Sequence, residues 1–234
     1  MKLRLSLLMG SAVGIILAGS TFTSEAQASN LTYTDTAISS SQLSTPAVAG
    51  TPVTLGNSVA TSDNVNNFSS LQTNVGNLFL ENAQVVAGAS GIHAVPYGLS
   101  NSTPYVSVYS NGAAVFTFTK PVSSVSFDWG SIDTYNSASA FSTNGNTLTI
   151  TGTQLTSSNG NQGLGGSDLV TITAGLNDSI QSLILNSSGI AFEAGNFSVS
   201  SVPLPAALPL FGAAIAGLGG LGGLGLRRRK AAAV

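Results

Sequence analysis

YVSVYSNGAAVFTFTKPVSSVSFDW, residues Tyr105 to Trp129, is the stretch whose reading decides the fold. Two runs rich in β-branched and aromatic residues, Tyr105–Ser110 and Ala113–Thr119, flank Asn111-Gly112. Asn and Gly both tolerate the positive φ of a type I′ turn, so this pair between two such runs predicts a β-hairpin. Val122–Trp129 then alternates, with Val125, Phe127 and Trp129 on one face and Ser124, Ser126 and Asp128 on the other. A period of two over this length is the pattern of a strand with one face in a core.

The same signals recur to either side. Asn144-Gly145-Asn146 predicts a turn between strands at Ala138–Thr143 and Thr147–Thr153, where Leu148 and Ile150 point one way and threonines the other. Further strands are predicted at Asp168–Ala174, Ser179–Asn186, Ile190–Glu193 and Phe197–Ser200. Upstream, Leu31 and Tyr33 alternate with Thr32 and Thr34, which suits an opening strand. Ala37–Asn67 reads as loops with short strands, and Asn77–Val86 reads either as a strand or as a brief helical turn. No repeat, heptad or amphipathic helix is evident between the two ends of the chain. Many short strands separated by turn signals predict an all-β domain, an antiparallel β-sandwich of jelly-roll-like form.

The two ends have a different character. Lys2 and Arg4 precede an apolar run, Leu5–Gly19, and then Ala26-Gln27-Ala28. A positive region, an apolar region and a small-residue cleavage site predict a signal peptide over residues 1–28, with the mature chain opening at Ser29. At the far end, Val202-Pro203-Leu204-Pro205-Ala206 leads into an uncharged run to Leu226, closed by Arg227-Arg228-Arg229-Lys230. Leu210–Leu226 is 17 residues, about 25 Å as a helix. Adding Ala206–Pro209 brings it to the roughly 30 Å of a hydrocarbon core. The prolines lie at or before the helix start, where a missing N–H costs little. Seven glycines make the span a poor helix in water, but in lipid a helix is the way to satisfy the backbone. One C-terminal transmembrane helix is therefore expected, with the basic cluster in the cytoplasm. Between the ends lies an exported domain, 29–201, long enough for one real core.

Charge and composition exclude several functions. Residues 29–201 carry eight acids against one base, Lys120, a net charge of −7, although the whole chain is only −2. With no arginine there and one lysine, no cationic surface exists for phosphates, so nucleic acid is excluded as a partner. The chain has no cysteine, which excludes disulfides and thiolate zinc sites.

The candidate chemistry centres on Trp129–Asn136 (WGSIDTYN). Trp129 and Tyr135 beside Asp133 and Asn136 have the makings of a sugar-binding surface, aromatic faces for the ring and polar groups for its hydroxyls. The structural alternative makes Trp129 a core residue, in line with Phe127, and makes Asp133 and Asn136 braces of a loop. Asp128, Asp133 and Glu193 supply hard oxygens for calcium, but no dense ligand run accompanies them, and no cofactor is expected. Nothing supports catalysis. His93, the one histidine, lies in a loop-like GIHAVPYG, no G-x-S-x-G surrounds a serine, and no pair of carboxylates is selected. Gly163-Leu164-Gly165-Gly166 has no lysine after it to make a phosphate loop. The chain is expected not to be an enzyme.

Two stretches resemble a known family. The tail, with its VPLPA motif, Gly-rich apolar span and Arg cluster, resembles the PEP-CTERM sorting signal of Gram-negative bacteria. Trp129-Gly130-Ser131 with Asp133, Tyr135 and Asn136, followed later by Ala191-Phe192-Glu193, resembles a subgroup of those surface proteins. That subgroup carries Asp where this chain has Gly195. The resemblance implies export through the Sec translocon, removal of the signal peptide by signal peptidase, and transient anchoring in the inner membrane. It further implies tail processing by an exosortase and release to the cell surface or extracellular matrix. It also implies association with exopolysaccharide or biofilm, and it lends no catalytic activity.

Overall fold

In a computed structural model, the chain is described over residues 31–38, 50–56, 68–155, 157–158 and 160–202. The signal peptide with Ala26, Ala28 and Ser29, and the tail from Pro203 through Lys230, lie outside the described residues. Among the described residues no helix is long and apolar enough to cross a membrane.

The described chain is all-β. Its strands are β1 (Leu31–Ala37), β2 (Thr51–Pro52), β3 (Phe68–Gln72), β4 (Gly76–Val86), β5 (Tyr105–Gly130), β6 (Asn136–Ser142), β7 (Thr147–Thr151), β8 (Asp168–Ala174), β9 (Ile180–Ser187) and β10 (Phe192–Ser201). A single 3₁₀ turn, Gly152–Gln154, is the one helical element among them. The strands form one ten-stranded sheet wrapped round a single core, with β1-β8-β5-β9-β6-β7 as its main path. Asn77–Val86, ambiguous in sequence, is strand. The Asn144 turn is present as expected: Gly145 takes φ 82, and Ser142 N–H donates to Asn146 O at 2.9 Å between β6 and β7.

The hairpin expected at Asn111-Gly112 does not form. Its two arms do not pair with each other; both lie along β4, Glu81 opposite Ala113 and Ala83 opposite Val108. One residue of β4, Asn82, faces four of β5, Tyr109–Gly112, so the chain bulges and continues instead of reversing. The local preference is still met, because Asn111 has φ 58 and Asn82 φ 44. A Cβ on Gly112 would lie 2.4 Å from Asn82 O, which explains the glycine. Bulges of this kind let a long strand turn from one part of a sheet into another. The turn allows β5 to serve twice: residues 112–117 pair with β9, and residues 124–129 pair with β8.

β10 lies between the two halves of β5. Glu193 is opposite both Ser107 and Gly130, and Ala194 opposite both Val106 and Trp129; the β5 numbers fall as those of β10 rise. The two short strands expected at Ile190–Glu193 and Phe197–Ser200 are thus one strand, shifted in register at Asn196, where φ is 52. An aromatic row joins β5 to β10. Phe116–Phe197, Phe127–Phe197 and Trp129–Phe192 have centroid separations of 4.7, 5.5 and 4.3 Å. Each such pair contributes roughly 0.5–1.5 kcal/mol beyond its buried area.

Alternation over Val122–Trp129 places Val125, Phe127 and Trp129 in the core, as expected. The opposite face is not open to solvent, however, since Ser126 and Asp128 are buried too. Residues 87–104 lie over that end of the sheet. A Cβ on Gly130 would sit 2.5 Å from Pro96 Cα, and one on Gly195 would sit 2.4 Å from Leu99 Cδ1. These glycines let the covering loop approach, and a side chain at position 195 would displace Leu99.

Candidate functional site: a polar cleft at the end of the long strand

Where β5 ends, the chain must leave the sheet within a few residues. Ser131 takes φ 40, Ile132 plugs into the core fully buried, and Asn136 N–H closes the turn on Asp133 O at 3.1 Å. Gly160 N–H donates to Ile132 O at 2.8 Å, and Ile132 N–H to Gly166 O at 3.3 Å, which fastens the 160–166 loop beside this turn. The covering loop approaches from the other side. Together they enclose a cleft of about 250 Å³ whose lining includes His93, Ser131, Asp133, Tyr135, Gln162 and Glu193.

Glu193 forms its floor, 2% exposed. Its Oε1 accepts the Ala94 N–H at 3.0 Å, and its Oε2 accepts Ser131 Oγ–H at 2.5 Å. Burial raises its pKa to about 7; the two hydrogen bonds oppose that rise, and the nearby charge of Asp133 adds to it. Tyr135, at the rim and 37% exposed, has its hydroxyl 2.8 Å from Asp133 Oδ2 and 2.5 Å from Ile190 O. Burial, and then the bond to Asp133, push this phenol above the usual tyrosine range, so it stays protonated. Its ring packs on Gly189, where any Cβ would lie 2.7 Å from the ring carbons. His93 Nδ1 is 2.6 Å from Tyr105 Oη, which donates its own proton to Gly88 O at 2.6 Å. The histidine therefore carries a proton on Nδ1 and donates it. Burial, with the charge of Glu193 adding, raises the Tyr105 pKa strongly.

The four residues singled out as a sugar surface separate into two pairs. Asp133 and Tyr135 line the cleft. Trp129 is fully buried against Phe192 and offers no face to a ligand. Asn136 is buried as a brace: its Nδ2 donates to Ala191 O at 3.1 Å and its Oδ1 accepts Ser187 Oγ–H at 2.7 Å. Of the calcium candidates, Asp128 is held apart by Asn196, whose Nδ2 donates to Asp128 Oδ2 at 3.0 Å. Among the described residues no group of three or more acidic or histidine side chains lies close enough together to hold a metal ion.

Sequence reasoning did not assign Ser131, His93 or Gln162 to a site, and it named Glu193 only for calcium. The signal for Ser131 was its place inside the Trp-Gly-Ser-x-Asp motif. Nothing local marked His93 or Gln162, because they arrive from loops far away in sequence. No family model, no curated protein and no solved structure matches this chain.

Proposed function

We propose that the chain is an exported protein of the cell surface or extracellular matrix, sorted by an exosortase and acting there without catalysis in contact with exopolysaccharide. Its β domain, on this reading, is an antiparallel sandwich of jelly-roll-like form. The observation that carries the sorting proposal is the order of three features in the tail: Val202-Pro203-Leu204-Pro205-Ala206, the uncharged span to Leu226, and Arg227–Lys230. Mass spectrometry of the protein recovered from outside the cell tests it. The Arg227–Lys230 peptide is expected to be absent, and its retention there defeats the processing step.

A second reading, specific carbohydrate recognition, is favoured by the cleft. An exposed tyrosine ring at the rim and fixed polar groups within are the parts a sugar site uses, a flat apolar contact for the ring and hydrogen bonds for its hydroxyls. Calorimetric titration of the protein with the producing cell's own exopolysaccharide tests this, with calcium and with chelator. Saturable heat is expected, and no heat from folded protein removes the reading.

A further inference from the structure

We propose that the cleft receives an ammonium-bearing sugar, an amino-sugar unit of a polysaccharide, with Asp133 and Glu193 facing its charged nitrogen. The inference rests on the glycan reading above and names the sugar class. The first observation is a shortage of protons. The single hydroxyl proton of Tyr135 lies between two acceptors, Asp133 Oδ2 and Ile190 O, both within hydrogen-bond reach. Among the described residues one of them is left for a donor from elsewhere, and a ligand rich in donors supplies it. The second observation is charge. Asp133 and Glu193 are close enough for the charge of Asp133 to disfavour ionisation of Glu193, yet among the described residues no lysine or arginine lines the cleft. Lys120, the one base of residues 29–201, is exposed elsewhere on β5. Among the described residues His93 is the one cleft side chain able to become cationic, and its Nδ1–H is committed to Tyr105.

The third observation is shape. A bare metal ion needs several converging hard ligands, and no such group exists among the described residues. The cleft instead combines two carboxylates with the hydroxyl of Ser131, the amide of Gln162 and an aromatic rim, over a volume of about 250 Å³. That mixture suits a ring carrying hydroxyls and one positive charge. Acidic or sulfated sugars are disfavoured by the same two carboxylates.

The test is calorimetry on the full chain, purified in mild detergent, at about pH 7.5, above the value of about 7 near which Glu193 ionises. Three tetramers are compared: β-1,4-linked glucosamine, its N-acetylated counterpart and the glucose equivalent. The glucosamine tetramer is expected to bind at least about tenfold tighter than the other two, the worth of one charge-assisted hydrogen bond. Asp133→Asn keeps an acceptor for Tyr135 and is expected to lower that affinity about tenfold; Asp35→Asn, on β1 outside the cleft, is expected to leave it unchanged. Equal binding of all three tetramers overturns the amine assignment and leaves glycan recognition standing. Glucosamine binding that ignores Asp133→Asn overturns the site. Binding of the native exopolysaccharide but of no tetramer also overturns the amine assignment, whereas no binding of any glycan removes both readings.

Discussion

Asp128→Asn is expected to make the protein more stable relative to wild type at pH 8 than at pH 4. Asp128 sits on β5 opposite Gly195 and Leu169, 6% exposed. One oxygen accepts from Asn196, and the other, Oδ1, has no partner among the described residues. Burial raises its pKa from 3.8 to about 6, against the opposing effect of the Asn196 bond. Because the folded value lies above the unfolded one, the folded state holds the proton more tightly. Below about pH 3 both states are largely protonated and the residue carries little cost. From about pH 4 to 6 the unfolded state ionises first, so stability falls, and above 6 the full cost is present. At ~1.4 kcal/mol per factor of ten in the acid constant, that cost is about 3 kcal/mol. Asparagine has nearly the same shape and does not titrate. It brings its own pH-independent penalty, an amide group in place of the lone oxygen, which cancels when two pH values are compared. Urea unfolding of both proteins at pH 4 and pH 8 should therefore show the stability difference shifting in favour of the variant by about 2–3 kcal/mol. In thermal melts this is roughly 5–10 °C for a domain of this size. A difference that stays constant within about 0.5 kcal/mol between the two pH values would show that the carboxylate is solvated in the native state, and the argument from burial would fail.

Three further expectations follow from the same packing. Trp129→Ala removes a fully buried indole stacked on Phe192 and is expected to cost about 3–5 kcal/mol in equilibrium unfolding; a stable variant that loses only sugar affinity would contradict its place in the core. Gly130→Ala forces a methyl against the Pro96 backbone, so a loss of about 1–3 kcal/mol and faster proteolysis within residues 87–104 are expected, and an unchanged digestion pattern would count against the covering loop. Asp178 is different in sign. Burial raises its pKa, but bonds from the Asn146 and Ser142 side chains and from the Ser179 and Asn144 N–H groups outweigh burial and hold it at about 2. Its contribution is present above about pH 4 and is lost as pH falls toward 2, so Asp178→Asn should flatten the acid limb of the stability profile, and an unaltered limb would refute the assignment.

What the sequence revealed and what it hid divides along the range of the forces involved. Alternation at Val125, Phe127 and Trp129 is local, and it correctly identified the core face because one side of a strand must be apolar. The Asn144-Gly145-Asn146 turn is also local and formed where expected. Asn111-Gly112 carried the same local preference, yet the outcome was decided at a distance. β4 is long enough to pair with both arms, and its Asn82 absorbs the bulge, so ten residue pairs along β4 replaced a pairing of the arms with each other. Positive φ was legible there, and its use was not. The burial of Asp128 was illegible for a related reason: the loop that covers its end of the sheet is attached by single contacts, such as Ala94 N–H to Glu193 and Tyr97 N–H to Ser167 Oγ, which leave no period in the sequence.

The cleft follows from one topological choice, the placing of β10 between the halves of β5. Glu193 is paired through its backbone on both sides, to Ser107 and to Gly130. Its Cα is therefore fixed by two ladders, and its carboxylate is fixed again by Ala94 N–H and Ser131 Oγ–H. A carboxylate held this way loses little side-chain entropy when a ligand arrives, whereas an exposed one must be ordered at that moment. Asp133 is restrained less: among the described residues the Tyr135 hydroxyl is its side-chain partner. The two acids should then play unequal parts, with Glu193 setting where a bound charge rests and Asp133 adjusting to it. Ser131→Ala removes one of the two hydrogen bonds to Glu193 and leaves the backbone pairing of β10 in place. It should weaken ligand binding and cost about 1–3 kcal/mol of stability, because a buried carboxyl oxygen loses its donor, and a variant that bound as tightly as wild type would mean that the ladders alone position the carboxylate.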